Sequence, residues 1–115
     1  MTHEARTAST VSEGIGNMIE TMKKDFRSWN SNSKDDWQTV EYNDGFEVNT
    51  GRKYAKVINR KSVEAFVVLT DTDKKFRRGD ILKPAGYAAP ARNSARGNVL
   101  DGGYNINWTG PLYLR

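Results

Sequence analysis

The chain has 115 residues, with 18 Lys and Arg against 14 Asp and Glu and a formal net charge of +4 at pH 7. This length predicts one domain with one core, and a hydrophobic content of 37% argues against a disordered chain. Cysteine is absent, which excludes disulfides, thiolate metal sites and a thiol nucleophile. Because there is no run of about 18 apolar residues and no signal-like start, we expect a soluble cytoplasmic protein without a membrane partner.

Charge is distributed unevenly along the chain. Residues 1–50 carry five basic and nine acidic side chains, whereas residues 51–115 carry thirteen basic and five acidic ones. Such a local positive excess attracts polyanions such as nucleic acid. Basic surfaces also occur without any such partner, so charge alone leaves both interpretations open.

The sequence of the N-terminal part predicts a flexible tail followed by one amphipathic helix. Residues 1–9 are small and polar without periodicity, so we expect a flexible tail before a single domain at 10–115. Within 10–30, apolar side chains recur at steps of three and four residues, as on one face of a helix. These side chains are Ile15, Met18, Ile19, Met22, Phe26 and Trp29. Thr10 and Glu13 fit a capping box at the helix start, and the polar residues 30–33 predict its end.

From residue 36 to residue 115 the sequence predicts a β-rich basic region. Apolar and polar residues alternate there between turn-forming residues, as in strands with one buried face. The predicted strands cover residues 37–42, 46–48, 54–58, 63–69, 81–83, 98–100, 104–108 and 112–114. The segment 63–69 is the most apolar, and we expect it to be the central strand. The predicted fold class is α+β, mostly β, with the helix packed on a small twisted antiparallel sheet or a partly open barrel.

Groups that perform catalysis are scarce. The single histidine, His3, lies in the predicted tail, which argues against a histidine-activated nucleophile and a histidine-ligated metal. Asp71 and Asp73 lack the spacing of a calcium loop, and turn aspartates that bind backbone N–H groups are the simpler interpretation. Glycine motifs that bind nucleotides are absent. We therefore expect no enzymatic activity, no metal and no cofactor.

The long segment 84–96 is the predicted binding loop, since long ordered loops in compact domains usually carry function. Arg92, Asn93 and Arg96 offer donors that suit an anionic group such as phosphate. Either arginine could instead pair with an aspartate and fasten the loop to the sheet. The aspartates considered for that pairing are Asp80 and Asp101.

Basic and aromatic residues are interleaved in the second half of the chain, a pattern typical of single-strand nucleic-acid binding. In that interpretation the cations contact phosphates and the rings stack on bases. The predicted nucleic-acid or anion-binding residues are Lys74, Lys75, Arg77, Arg78, Lys83, Tyr87, Arg92, Asn93 and Arg96. Aromatic residues at strand positions belong to the core more often than to a binding surface in so small a domain. The residues to which this applies are Tyr54, Phe76 and Trp108.

The apolar helix face supports a second hypothesis. A partner protein, or a second copy of the chain, could bind to this face if its large side chains remain exposed. The predicted interface residues are Met18, Met22, Phe26 and Trp29. If these side chains pack on the sheet instead, the helix is structural.

The region from about residue 49 to residue 115 resembles small uncharacterised proteins of tailed bacteriophages. The segments that carry the resemblance are NTGRKYAKVI, SVEAFVVLTDTDKKFRRGDILKPAGYAAPARNSARGNVLDGGY and INWTGPLYL. The resemblance implies a phage-encoded accessory protein that acts in the host cytoplasm. It implies no activity and assigns no functional residue, and the N-terminal helix lies outside it.

These observations favour a non-enzymatic binder of nucleic acid, or of a phosphate-bearing ligand, that uses the basic C-terminal half. The alternative is a protein-interaction module that binds or inhibits a host protein, with a homodimer also open. An enzyme acting on a phosphorylated substrate ranks last, because a catalytic site without His, Cys or a metal cluster is unusual.

Overall fold

A long helix packed on an antiparallel sheet forms the centre of the fold. The computed structural model describes residues 3–4, 7–29, 37–107 and 110–111. Its helices are α1 (Val11–Trp29) and α2 (Trp37–Asp44). Its strands are β1 (His3–Glu4), β2 (Phe46–Thr50), β3 (Tyr54–Asn59), β4 (Ser62–Val68), β5 (Ile81–Leu82), β6 (Asn105–Asn107) and β7 (Gly110–Pro111). With one long helix on an open four-stranded sheet, the fold is α+β with more strands than helices, as predicted.

Helix α1 confirms the predicted amphipathic helix. The Thr10 hydroxyl accepts a hydrogen bond from the Glu13 backbone N–H at 3.1 Å, so the expected cap is formed. The apolar face of the helix is buried through Ile15, Met18, Met22 and Phe26. At Gly14, a Cβ atom would lie only 2.6 Å from the Val99 carbonyl oxygen. Glycine therefore allows the helix to approach the chain at residue 99 closely.

Four strands form an antiparallel sheet in the order β2-β3-β4-β5. Both hairpins that join β2, β3 and β4 confirm the turn predictions, and β4 lies inside the sheet as expected for the segment 63–69. The two-residue turn between β3 and β4 holds Arg60 and Lys61 at positive φ, 49° and 72°. Such turns favour Asn and Gly, and a left-handed conformation costs other residues about 1–2 kcal/mol each. This hairpin therefore carries backbone strain.

The segment 37–42, predicted as a strand, belongs to helix α2, so that prediction was wrong. A short segment with few apolar residues has no period that separates helix from strand, and tertiary contacts decide its conformation. Tyr42 is buried, and its ring stacks on Phe26 with centroids 4.2 Å and planes 5° apart. The Tyr42 carbonyl also accepts a hydrogen bond from the Asn59 side chain at 2.8 Å. These contacts fix the end of α2 on the core.

Strand β1 lies inside the segment predicted as a flexible tail, so that prediction was wrong for these residues. His3 pairs with Ile106, and β1 thereby joins a three-stranded sheet in the order β1-β6-β7. The backbone N–H of Ala8 also donates to the Leu100 carbonyl at 3.0 Å. Composition did not reveal this pairing because backbone hydrogen bonds between strands need no apolar side chains.

The C-terminal strand predictions are confirmed in part. The segments 81–83 and 104–108 contain β5 and β6, respectively. Residues 98–100 make a single bridge, to Asp80, instead of a strand. Three further predictions lie outside the described residues, namely the strand at 112–114, the role of Trp108 and the helix end at 30–33.

Candidate functional site

The four-stranded sheet has two faces of different chemistry. The face toward α1 belongs to an apolar core with strand residues Ala55, Val57, Ala65, Val67 and Ile81. The opposite face, which we call the outer face, carries Tyr54, Lys56, Phe66, Val68 and Leu82. The two sets interleave because successive residues of a strand point to opposite faces. Phe76 and Ala95, from the segment 70–98, pack onto the outer face.

The predicted binding loop is an ordered structure that runs back along β5. The Ile81 backbone N–H donates to the Gly97 carbonyl at 2.9 Å, and the Arg96 N–H donates to the Ile81 carbonyl at 2.7 Å. Further along, the Ala91 N–H donates to the Lys83 carbonyl at 2.7 Å. These backbone hydrogen bonds pair the segment 83–98 irregularly with the chain around β5 and hold it beside the sheet.

Cations and aromatic rings form a continuous row of contacts along the outer face, and we call this row the cation–aromatic ladder. In order, it contains Tyr87, Lys56, Phe66, Tyr54, Arg92, Phe76 and Lys75. The Lys56 ammonium lies 4.2 Å from the centroid of Tyr87 and 5.8 Å from that of Phe66. The Arg92 guanidinium lies 5.0 Å from the centroid of Phe76. These distances permit cation–π attraction, so the row connects the loop to the sheet.

Arg92 is tied into the ladder by an ion pair. Its guanidinium donates two hydrogen bonds of 2.9 Å to the Asp73 carboxylate and one of 2.5 Å to the Tyr54 hydroxyl. The Arg92 bonds, with two backbone N–H groups, hold the pKa of Asp73 well below its usual range, and Asp73 in turn raises the pKa of Arg92. The fastening role weighed for Arg92 is therefore formed, but its partner is Asp73 and not Asp80 or Asp101.

Two other predicted arginines also form ion pairs. Arg77 pairs with Asp101, and Arg78 pairs with Asp71 at 2.8 Å. All four side chains are at least half exposed, and exposed pairs of this kind add little stability. They orient the guanidinium groups and leave them open to solvent.

The Asn98 side chain is buried and forms several hydrogen bonds close to these arginines. Its amide nitrogen donates to the Arg78 carbonyl and to the Asp80 carboxylate, both at 2.9 Å. Its amide oxygen accepts from the Leu100 N–H at 2.8 Å and from the Asp101 N–H at 3.3 Å. A side chain with four such bonds fixes two turns against each other, so its role is structural.

Lys83 and Arg96 are half-buried neighbours. Burial lowers the pKa of Lys83, and the nearby Arg96 charge lowers it further, whereas Glu64 opposes the change. Burial likewise raises the pKa of Glu64. These partly buried charges are less accessible to a ligand than the exposed Lys75 and Arg92 of the outer face.

The remaining predicted ligands lie at the surface. Lys74, Lys75 and Asn93 are exposed, and Tyr87 is 60% exposed. The Lys75 ammonium donates to the Arg92 carbonyl at 2.6 Å, which places it at one end of the ladder. The structure thus brings Lys75, Tyr87 and Arg92 into one row.

A polar groove of about 530 Å³ lies beside this region. Arg77 and Arg96 line it, but so do the carboxylate residues Asp80 and Asp101. Its mixed charge suits an anion less well than the outer face does.

The predicted protein interface on α1 does not have the exposed face that it requires. Met18 and Met22 are fully buried and Phe26 is 8% exposed, because all three belong to the apolar core. The side chain of Trp29 lies outside the described residues. This face of the helix is therefore part of the core, as expected if the helix is structural.

An apolar groove of about 430 Å³ runs along another side of α1. Its residues come from the first half of α1, from β2 and β3, and from Leu69. They include Val11, Ile15, Ile19, Val48 and Ala55. Val48, on strand β2, is 40% exposed.

Within the described parts of the chain, no three His, Cys, Asp or Glu side chains are grouped so that they could hold a metal ion. In the same parts, no helix has the length and apolar character needed to cross a membrane.

Comparison with known protein families gives a match over almost the whole chain. The profile of a family of unknown function (DUF7717) matches residues 1–114. The chain belongs to the DUF7717 family. No curated protein and no solved structure matches the sequence. The DUF7717 description assigns no activity, so a functional hypothesis for this member must come from its geometry.

Four residues of the ladder were missing from the predicted set for this DUF7717 protein, namely Tyr54, Lys56, Phe66 and Phe76. The sequence did indicate that Tyr54 and Lys56 lie together, since residues 54 and 56 are on the same face of a predicted strand. The partner of Arg92 held no such signal, because the pairing with Asp73 depends on how two loops fold together.

Proposed function

We propose that the protein is a non-enzymatic binder of nucleic acid and that the outer face is its binding surface. The cation–aromatic ladder is the observation that carries this proposal. Ammonium and guanidinium groups suit phosphates, and an exposed aromatic face suits a base, so a row of cations that ends at the exposed ring of Tyr87 suits a nucleotide chain. We further propose that the protein acts in a bacterial host cytoplasm, as its resemblance to phage proteins implies.

The charges near the ladder support the same proposal. The basic residues outnumber the acidic ones thirteen to five over residues 51–115. The carboxylates of Asp71, Asp73 and Asp101 each form an ion pair with an arginine. The lysines of the outer region, Lys56, Lys74 and Lys75, thus add to a positive field that draws a polyanion toward the rings.

A titration of labelled DNA and RNA, single-stranded and duplex, followed by fluorescence anisotropy at about 50 and 200 mM salt, tests the proposal. Binding should weaken steeply with salt. The double variant Lys56→Gln/Lys75→Gln should lower the slope of log affinity against log salt by about 2, because each lost phosphate contact lowers it by about 1.

The matched control is Lys24→Gln/Arg27→Gln, which removes two exposed charges from α1 on the other side of the sheet. This control should keep most of the binding. Equal losses in both double variants would contradict the assignment to the outer face. Absence of binding to every nucleic acid at 50 mM salt, a condition that favours phosphate contacts, would overturn the proposed function.

The apolar groove supports a second candidate function, self-association into a homodimer. Strand β2 is at the edge of its sheet among the described strands, and Val48 beside the groove is exposed. Antiparallel pairing of two copies about Val48 would place Glu47 opposite Asn49 of the second copy, which keeps like charges apart. Light scattering should then give a dimer mass, and Val48→Glu should give a monomer because two carboxylates would face each other. A monomer at every concentration would contradict this candidate.

A further inference from the structure

Tyr87 is the most exposed large hydrophobic side chain among the described residues, at 60%. The other two that are largely exposed are Val40 and Val48. An exposed aromatic ring offers a flat apolar face on which a planar group of a ligand can stack.

The loop around Tyr87 presents this ring on a well-defined support. Pro84 and Pro90 form a bridge at the base of the loop, and proline limits the backbone at both positions. The backbone N–H groups of Ala85 and Gly86 both donate to the Ala89 carbonyl, at 3.0 and 3.2 Å. The neighbours of Tyr87 at the loop tip are therefore small and tightly turned, and they leave the ring uncovered.

The Lys56 side chain makes a cation–π contact with the Tyr87 ring. Its ammonium lies 4.2 Å from the Tyr87 centroid, which is the shortest cation–ring distance of the ladder. One side of the ring is thereby occupied, and the exposed remainder is available to another flat group. A positive charge directly behind the ring favours an aromatic group that is attached to an anion.

We propose that Tyr87 stacks on an unpaired base, so that the ligand class of the outer face is single-stranded nucleic acid. This inference rests on the proposed function. Bases in a duplex already stack on each other, whereas the bases of a single strand are free to stack on a side chain. Lys56 then contacts the phosphate next to the stacked base, and the ladder continues along the strand toward Lys75.

The experiment compares one sequence as a single strand and as a duplex, with 2-aminopurine as the probe base in the single strand. Stacking on Tyr87 should quench the probe, and the single strand should bind more tightly than the duplex. Tyr87→Leu should lower single-strand affinity about 5- to 150-fold, the range expected for loss of one base–aromatic contact. Tyr87→Phe is the matched control and should bind within about twofold of the original chain, because it keeps the ring.

The outcomes separate the inference from the function on which it rests. Equal binding of single strand and duplex, with Tyr87→Leu unchanged, would overturn the stacking role but keep a nucleic-acid binder. Failure of the unmodified chain to bind either form would overturn both, and would favour a protein as the partner of the exposed tyrosine. The exposed position of residue 87 means that both variants should keep the thermal melting curve of the original chain, which is the check on folding.

Discussion

The two faces of the four-stranded sheet come from alternating residues of the same strands, but they bury their side chains differently. On the α1 face, Val57 and Val67 are fully buried among apolar neighbours. On the outer face, Lys56 lies between the buried residues Ala55 and Val57 of the same strand and keeps its ammonium group beside aromatic rings. The α1 face is covered by one continuous helix, whereas the outer face is covered by loop residues, among them Phe76, which packs on it, and Arg92, which pairs with Asp73.

This difference indicates a division of roles between the faces. Apolar burial is the main stabilising term in folding, so the α1 face should carry most of the stability. Charged groups held over rings add little stability but retain the capacity to bind an anion. Variants on each face should therefore separate stability from binding.

Met22→Ala should have the largest effect and should act on stability. The side chain is fully buried in α1, so its truncation leaves a cavity and lowers the free energy of unfolding by about 2–5 kcal/mol. Urea denaturation measures this loss, with the exposed Lys24→Ala on the same helix as a control that should stay within about 0.5 kcal/mol. An unchanged stability together with an altered oligomeric mass would instead support a protein interface on α1.

A pair of glycine substitutions on α1 should move stability in opposite directions. Alanine normally stabilises a helix relative to glycine by about 0.5–1 kcal/mol, and Gly16→Ala should show this gain because nothing lies within 4 Å of its Cβ position. Gly14→Ala should lose stability, by about 1–3 kcal/mol, because the new methyl group would meet the Val99 backbone. Thermal melting of the two variants tests this, and a gain at both sites would contradict the close contact.

The ion pair between Asp73 and Arg92 should make a small, pH-dependent contribution to stability. Because the pKa of Asp73 is lowered in the folded state, its contribution is fully present above the ordinary carboxyl pKa of about 3.9. It is lost as the pH falls below that value and through the lower pKa of the folded protein. The melting temperatures of the original chain and of Asp73→Asn should therefore differ at pH 6 and converge in acid.

Asp71→Asn is the control for that pH series. It removes the same charge from an exposed ion pair, in which the Asp71 carboxylate lies 2.8 Å from the Arg78 guanidinium. Its melting temperature should lie closer to that of the original chain at pH 6, since exposed pairs contribute little. A difference as large as that of Asp73→Asn would mean that net charge, and not the Arg92 contact, causes the effect.

The sequence predicted the elements whose pattern is strong and local. The helix and the two hairpins were identifiable because their apolar spacing and turn residues agree with each other. Helix α2 was missed because Tyr42 owes its position to Phe26 and Phe46, which are distant in sequence or across a turn. Periodicity within eight residues contains no information about such contacts.

The candidate site was predictable at the level of residue type but not of arrangement. Interleaved cations and rings were visible in the sequence, and three predicted ligands, Lys75, Tyr87 and Arg92, do lie in the ladder. The partnership of Arg92 with Asp73 was not visible, because either of two other aspartates satisfied the same charge argument. Only the folded path of the loops decides between them.

The three-stranded sheet affects when this protein can fold. His3 pairs with Ile106, so β1 has no strand to join until almost the whole described chain has been synthesised. The helix and the hairpins rely on nearer contacts and can order earlier on a ribosome, whereas closure of so long a loop is slow. Strands β1 and β6, from opposite ends of the described residues, therefore become structured together, as one late step.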